Sequence, residues 1–128
     1  MRRLLYCLIF AVFVSVWTAC NRKESHPAGE AALVYYGYLI NGQYAEYINS
    51  IAYSDSMTDE YKSQMIDLTA QYMAREKELR GGLVNVELVG DTIADNLASA
   101  FIEVIYGDST REEISVPMVL CNGIWKLQ

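Results

Sequence analysis

The side chains best suited to nucleophilic or metal chemistry are few in this 128-residue chain, which has three cysteines and one histidine. A catalytic serine or cysteine needs an adjacent base, and histidine is the usual one. The only histidine, His26, stands in a polar segment that has the composition of a tether. The sequence also has no glycine-rich phosphate loop and no cysteine pairs at zinc spacing. We therefore expect no catalytic triad, no metal site and no cofactor.

The first nineteen residues have the pattern of a signal peptide. Arg2 and Arg3 are followed by an apolar run over residues 4–17 that only Ser15 interrupts. This run is shorter than the roughly 20 residues that a permanent transmembrane helix needs. Its length and its basic start are typical of a secretory signal.

The residues that follow this run carry a second motif. Thr18 and Ala19 directly precede Cys20, and the three together resemble the lipobox of bacterial lipoproteins. Trp17 stands where that family prefers leucine. The resemblance implies cleavage between Ala19 and Cys20 and a lipid anchor on the Cys20 thiol. An ordinary secretory signal cut near Ala19 and an uncleaved N-terminal anchor are the alternatives.

The remaining cysteines fit this interpretation. Cys7 lies inside the signal sequence, so processing and acylation would leave Cys121 as the one free thiol. An intramolecular disulfide would then be impossible. Cys121 ends an apolar strand pattern, and we interpret it as a small core residue rather than a reactive thiol.

Charge and length restrict the partners and the number of domains. The whole chain has 10 basic and 16 acidic side chains, and loss of residues 1–19 would remove two of the basic ones. Such an acidic chain lacks the basic surface that nucleic-acid binding requires, so we expect no nucleic-acid partner. The length fits one domain. We place it at residues 30–128, after a lipidated tether at residues 20–29, on the outer membrane and facing the periplasm.

Helical periodicity fills the first half of this domain. Apolar residues recur at helical spacing from Glu30 to Ile40 and again from Tyr44 to Ile51, which fits two short helices or one kinked helix around Asn41-Gly42. After a loop at residues 54–57, Thr58 is placed to cap a long helix that Gly81-Gly82 ends. Its apolar stripe consists of Tyr61, Met65, Leu68, Tyr72 and Leu79.

The period changes from 3.6 to 2 after Gly82, which indicates sheet. We predict a first strand over residues 84–88, a turn region over residues 90–96, and further strands over residues 97–106, 110–121 and 124–127. Asn122-Gly123 is a two-residue hairpin signal. Pro117 predicts a bulge or an exposed stretch in the third strand. The fold class is therefore α+β, with N-terminal helices, one of them long, packed on a four-stranded antiparallel meander.

This order of elements, together with the closing segment Asn122-Gly123-Ile124-Trp125-Lys126-Leu127, resembles the cystatin-like and nuclear transport factor 2-like domains of small bacterial lipoproteins. Many of these belong to families of unknown function. The resemblance implies a curved sheet wrapped around the long helix, a cone-shaped cavity between them, and frequent dimerisation across the sheet.

The tyrosines are the main candidates for binding. Five of them crowd the first helical segment: Tyr35, Tyr36, Tyr38, Tyr44 and Tyr47. We expect Tyr36, Tyr44, Tyr47, Tyr72 and Trp125 to line the cavity for a small apolar or sugar ligand. The alternative is that these rings only pack and leave their hydroxyls in water.

Glu103 is the one charged residue in the middle of the second strand. Related folds host isomerases and dehydratases, so one alternative is a cavity enzyme that uses Glu103 as acid or base. However, Glu103 shares a strand face with Phe101 and Ile105, opposite the face that we assign to the core. We expect these three residues to form a surface that pairs with a second copy of the chain.

Together, these patterns predict a membrane-anchored lipoprotein of the bacterial cell envelope. We expect it to act as a non-enzymatic binding or protein-interaction module, with a small ligand or another envelope protein as partner.

Overall fold

The computed structural model of the chain describes residues 25–128. Three helices precede four strands: α1 (Pro27–Ile40), α2 (Tyr44–Asn49), α3 (Asp59–Arg80), β1 (Leu83–Ala94), β2 (Leu97–Tyr106), β3 (Arg111–Cys121) and β4 (Ile124–Leu127). A short 3-10 helix, Ser54–Ser56, lies between α2 and α3. The strands form one antiparallel sheet in the order β1-β2-β3-β4. The predicted α+β class and the meander are confirmed.

The domain begins before the predicted boundary at residue 30. Helix α1 starts at Pro27, where a proline is favoured because the first turn needs no donor from its N–H. Ala28 and Gly29 are buried, and the His26 ring nitrogen lies 3.0 Å from an Asp91 carboxylate oxygen. Assigning residues 26–29 to the tether was therefore wrong, because these residues pack against β1. Residues 1–24, including the proposed lipidation site, lie outside the described part of the chain.

The tyrosine-rich segment forms two helices rather than one kinked helix. Asn41 ends α1, and Gly42 adopts a left-handed conformation with a φ of 74° before α2 begins. Such a φ favours glycine, so the Asn41-Gly42 pair decides between the two alternatives that the periodicity allowed.

The long helix α3 starts and ends as predicted but is less buried than its stripe suggests. The Thr58 hydroxyl accepts the backbone N–H of Tyr61 at 3.1 Å, and Gly81 ends the helix with a φ of 80°. No residue of α3 is buried, and Leu68 is 57% exposed. The apolar stripe of α3 does not pack closely against the sheet, and an open space remains between the helix and the inner face of the sheet.

Strand β1 is longer than predicted. It continues through Gly90 and Asp91, which the turn residues predict to lie outside the sheet, and the turn is confined to Asp95 and Asn96. A register shift occurs between Leu88 and Gly90. This irregularity inserts one residue and exchanges the two strand faces. As a result Asp91 pairs with Ala100 on the inner face, where helix α1 packs.

The core lies between helix α1 and the inner face of the sheet. Ala28, Ala32, Ala100, Ile102 and Met118 are all fully buried there. Small residues on α1 and β2 permit close approach of the helix to the sheet, while the larger side chains fill the remaining space.

Two predictions for strand β3 need adjustment. Pro117 is exposed as one alternative predicted, but the β2–β3 register runs through it without a bulge. Its carbonyl accepts from the Gln128 N–H, so the missing donor lies on the side of β3 that faces the last residue of the chain, next to the edge strand β4. Cys121 is half-buried rather than a core residue, because it ends the strand beside the exposed β3–β4 turn.

Candidate functional site

A cavity of about 470 Å³ lies between α3 and the inner face of the sheet. This volume is within the range of small-molecule sites. Its walls come from all three helices and from strands β1, β2 and β3: Tyr36, Leu39, Tyr47, Leu68, Thr69, Tyr72, Met73, Glu76, Leu83, Val104, Tyr106, Glu112 and Ile114. The space exists because α3 does not pack down on the inner face of the sheet, and none of its residues is buried.

Aromatic rings from each helix form one wall of this cavity. Tyr36 of α1 and Tyr47 of α2 contact edge to face, with ring centroids 6.2 Å apart and an interplanar angle of 83°. This arrangement places the positive edge of one ring against the negative face of the other. Tyr72 of α3 lines the cavity as well. The short connection between α1 and α2 brings the first two rings together, and the Thr58 cap fixes where α3 begins.

The pKa values of two phenols in this wall, Tyr36 and Tyr47, are raised. Burial raises the pKa of Tyr36, and the nearby phenols of Tyr47, Tyr72 and Tyr106 raise it further. Burial and then Tyr72 also raise the pKa of Tyr47. Both hydroxyls are uncharged at neutral pH, as phenols are, and burial extends this neutral range to higher pH.

Glu76 contributes a carboxylate to the cavity with little compensation from the protein. Its side chain is only 13% exposed, and its Oε2 atom is buried without a hydrogen bond from any described residue. The Arg80 Nε atom lies 3.7 Å from this oxygen, which is an ion pair but is too far for a hydrogen bond. Leaving a buried acceptor unsatisfied typically costs about 1–3 kcal/mol, and more when it is charged.

A second charged group lies where β2 and β3 meet the end of α3. The Tyr106 hydroxyl donates to Glu112 Oε2 at 3.1 Å, and Arg80 Nη1 lies 3.3 Å from the same oxygen. The Arg80 guanidinium also sits 4.7 Å from the centre of the Tyr106 ring, a cation–π distance. Burial raises the pKa of Tyr106, and the hydrogen bond to Glu112 raises it further.

The structure brings together three of the five aromatic residues that we expected around a cavity. Tyr36, Tyr47 and Tyr72 line it, whereas Tyr44 and Trp125 do not. Tyr44 lies at the first position of α2. Trp125 packs against the core, and its backbone carbonyl accepts a hydrogen bond from Tyr35.

Sequence reasoning missed the polar residues of the site. Glu76 lies four residues after Tyr72 on helix α3, a spacing that puts both on one helix face, and this signal could have identified it. Tyr106 ends β2 on the face opposite Glu103, which the strand period predicts to be the core face, and it also reaches the cavity. Glu112 pairs with Val104 on the inner face of the sheet, which the polar start of β3 did not indicate.

The predicted alternative catalytic residue lies on the other side of the sheet. Glu103 shares the outer face with Phe101 and Ile105, and Arg111 Nη1 donates to its carboxylate at 2.6 Å. It does not line the cavity. A role for Glu103 as acid or base within that cavity was therefore wrong, because the two-residue strand period directs its side chain away from the helices.

Other kinds of site have little support in the described region. Within residues 25–128, no group of three or more histidine, cysteine, aspartate or glutamate side chains is arranged to hold a metal ion. None of the helices in these residues has both the length and the hydropathy needed to cross a membrane. In the cavity wall, the sole aliphatic hydroxyl is that of Thr69, and it donates to the Met65 carbonyl at 2.7 Å.

The fold has a solved counterpart. A crystal structure from Campylobacter jejuni, described as that of a candidate NTF2-like transpeptidase, aligns with 77% of this chain and 94% of its own chain. The TM-score is 0.60 and the sequence identity is 17%. At this identity the similarity shows the fold alone, namely helices packed on an open four-stranded antiparallel sheet of the NTF2-like type. No protein-family model and no curated protein sequence matches the chain.

Proposed function

We propose that this chain is a lipid-anchored binding protein of the bacterial cell envelope and that its NTF2-like domain takes up a small ligand without transforming it. The observation that carries the ligand-binding part is the cavity of about 470 Å³ with its wall of neutral tyrosines. Tyrosine rings offer a flat apolar contact surface together with a hydroxyl, a combination suited to small apolar or sugar-like ligands.

The composition of the cavity wall supports a binding role over acyl transfer. The Campylobacter neighbour carries a transpeptidase name, and acyl transfer generally needs an activated nucleophile beside a base. In the part of the chain that the structure describes, the residues that line the cavity include neither serine nor cysteine. The Thr69 hydroxyl is already engaged with the carbonyl of its own helix.

Ligand retention tests the binding proposal directly. The full chain would be purified from the membranes of its own host and studied by native mass spectrometry. We expect an excess mass that is released on unfolding and is lost in Tyr47→Ala, with Tyr53→Ala, at an exposed position outside the cavity, as the matched control. Bare protein in every preparation would contradict the proposal.

The anchoring part of the proposal rests on the Thr18-Ala19-Cys20 motif and its preceding apolar run. Cys20→Ala should move the protein from the membrane fraction to the soluble fraction, because the acceptor thiol for the lipid is lost. Cys121→Ala changes the other cysteine outside the signal sequence and should leave the protein in the membrane fraction. Membrane retention of Cys20→Ala would reject lipidation at this residue.

Location and self-association complete the proposal. We propose that the anchored domain faces the periplasm from the outer membrane, because Lys23-Glu24 follows the lipidation motif without an acidic run. We further propose a homodimer through the outer face of β2, where Phe101 and Ile105 are only half-buried.

A further inference from the structure

We propose that the cavity selects an organic cation, a ligand that carries one ammonium group on an apolar body. This inference rests on the proposed binding function and specifies its ligand class. It depends on the charges and rings that surround the space rather than on the size of the space.

The charged residues in the cavity wall are all of one sign. Glu76 and Glu112 line the cavity, and no lysine, arginine or histidine among residues 25–128 does so. Arg80 pairs with both carboxylates from outside the wall, at 3.7 Å and 3.3 Å. Two carboxylates and one guanidinium leave a single net negative charge, which one ligand cation would neutralise.

The two carboxylates differ in how many hydrogen bonds they accept from the protein. Glu112 accepts hydrogen bonds from Tyr106 and Arg80 and is 52% exposed. Glu76 is much more buried, and its Oε2 has no hydrogen bond among the described residues. A buried carboxylate is ordinarily paired or hydrogen-bonded. A cation in the adjacent space would supply the compensation that Arg80 gives only in part.

Four tyrosines complete a site of this kind. Tyr36, Tyr47, Tyr72 and Tyr106 all line the cavity, and the faces of aromatic rings attract ammonium groups. Arg80 already shows this attraction at the Tyr106 ring. The remaining wall is aliphatic, with Leu39, Leu68, Val104 and Ile114 among its residues, and it would accept the apolar part of the ligand.

Three probes of similar shape and different charge test the inference. Phenethylammonium, 2-phenylethanol and 3-phenylpropanoate would be titrated by calorimetry into the full chain in lipid nanodiscs, with empty nanodiscs as the blank. We expect phenethylammonium to bind roughly tenfold more tightly than the neutral alcohol, and the anion to bind most weakly.

The same titrations on Glu76→Gln identify the residue responsible. This variant keeps the shape of the side chain and removes its charge, so the tenfold preference for the cation should disappear while binding of the alcohol persists. Glu78→Gln, on the same helix but outside the cavity wall, should behave like the unsubstituted chain. If thermal unfolding shows Glu76→Gln to be misfolded, Glu112→Gln provides the second variant and should reduce the preference about threefold.

The outcomes separate this inference from the proposed function. Equal affinity for cation and alcohol, tighter binding of the anion, or an unchanged preference in a folded Glu76→Gln would each overturn the cation inference while leaving a binding cavity. No binding of phenethylammonium would overturn it as well, and the mass-spectrometric search for a retained ligand would then decide separately whether the cavity binds anything.

Discussion

The carboxylate of Asp91 in strand β1 caps helix α1 across 62 residues of sequence by accepting the backbone N–H of Gly29 at 3.0 Å. Its other oxygen lies 3.0 Å from the His26 ring nitrogen. No side chain at the N-terminus of α1 itself caps this helix. Asp91 therefore provides the capping acceptor for α1, as the Thr58 hydroxyl does for α3. A negative charge at this position also interacts favourably with the helix dipole.

Asp91→Ala should therefore lower the free energy of unfolding by about 1–3 kcal/mol, because it leaves the buried Gly29 donor without a partner. The Asp91 side chain is only 5% exposed, so water cannot readily replace it. Urea unfolding monitored by circular dichroism measures the change. Asp67→Ala removes an exposed carboxylate from α3 and should stay within about 0.5 kcal/mol of the original chain. Equal stability of the two variants would contradict the capping role.

Gly107→Ala tests the contact that fixes the end of the long helix. A Cβ atom at Gly107 would overlap the backbone carbonyl of Gly81. At this contact the Gly107 and Asp108 N–H groups donate to the carbonyls of Gly82 and Arg80, which holds the β2–β3 turn against the end of α3. We expect a loss of about 1–3 kcal/mol in the free energy of unfolding, because the backbone must shift.

The matched control is Gly37→Ala in helix α1, where nothing lies within 4 Å of the added atom. Alanine is the better helix former by about 1 kcal/mol, so this variant should be stabilised. Chemical denaturation of both variants gives the comparison, and a Gly107→Ala protein as stable as the original would show that the turn and the helix end are not held together.

The raised pKa values of Tyr36 and Tyr47 predict an alkaline limit to stability. Their folded-state pKa values lie above the unfolded value near 10. The stabilisation that they give is thus fully present below about pH 10 and is lost as the pH rises through the folded-state values. Tyr36→Phe removes the ionisable group and should shift the alkaline unfolding midpoint to higher pH.

Circular dichroism together with tyrosinate absorbance would follow this transition. Tyr53→Phe, which removes an exposed phenol outside the cavity, should leave the midpoint unchanged. A midpoint that moves equally in both variants would assign the alkaline transition to general charge repulsion rather than to the buried ring.

Phe101→Glu tests the proposed dimer. It would add a charge to the outer face of β2, beside the ion pair of Glu103 with Arg111, and burial of that charge between two copies would be costly. Analytical ultracentrifugation should therefore show a monomer. Val34→Glu adds the same charge at an exposed position of α1 and should leave the oligomer intact. The same oligomeric state in the original chain and in Phe101→Glu would reject this interface.

Local patterns sufficed for most of the secondary structure. The bounds of β2 and β4 and the start of α3 at the Thr58 cap agree with the periodicity and capping rules, because those signals act between residues a few positions apart. The presence of tyrosines around a cavity was also predictable, since Tyr36 and Tyr47 lie on consecutive helices. The raised pKa values of these two phenols required the packed structure, because burial is a property of the assembled walls.

The sequence by itself determined the change from helix to sheet at Gly82, the α+β class and the chemical character of the rings. Only the tertiary structure decided that Asp91 of β1 caps helix α1. A single inserted residue in β1 turns the Asp91 side chain to the inner face of the sheet, where α1 lies. Packing also decided that Glu76 and Glu112 share one cavity, whereas the strand period alone already predicts that Glu103 lies on the opposite face of β2. Glu76 lies on α3 and Glu112 on β3. The distance between them depends on how far α3 stands from the sheet, which no local pattern encodes.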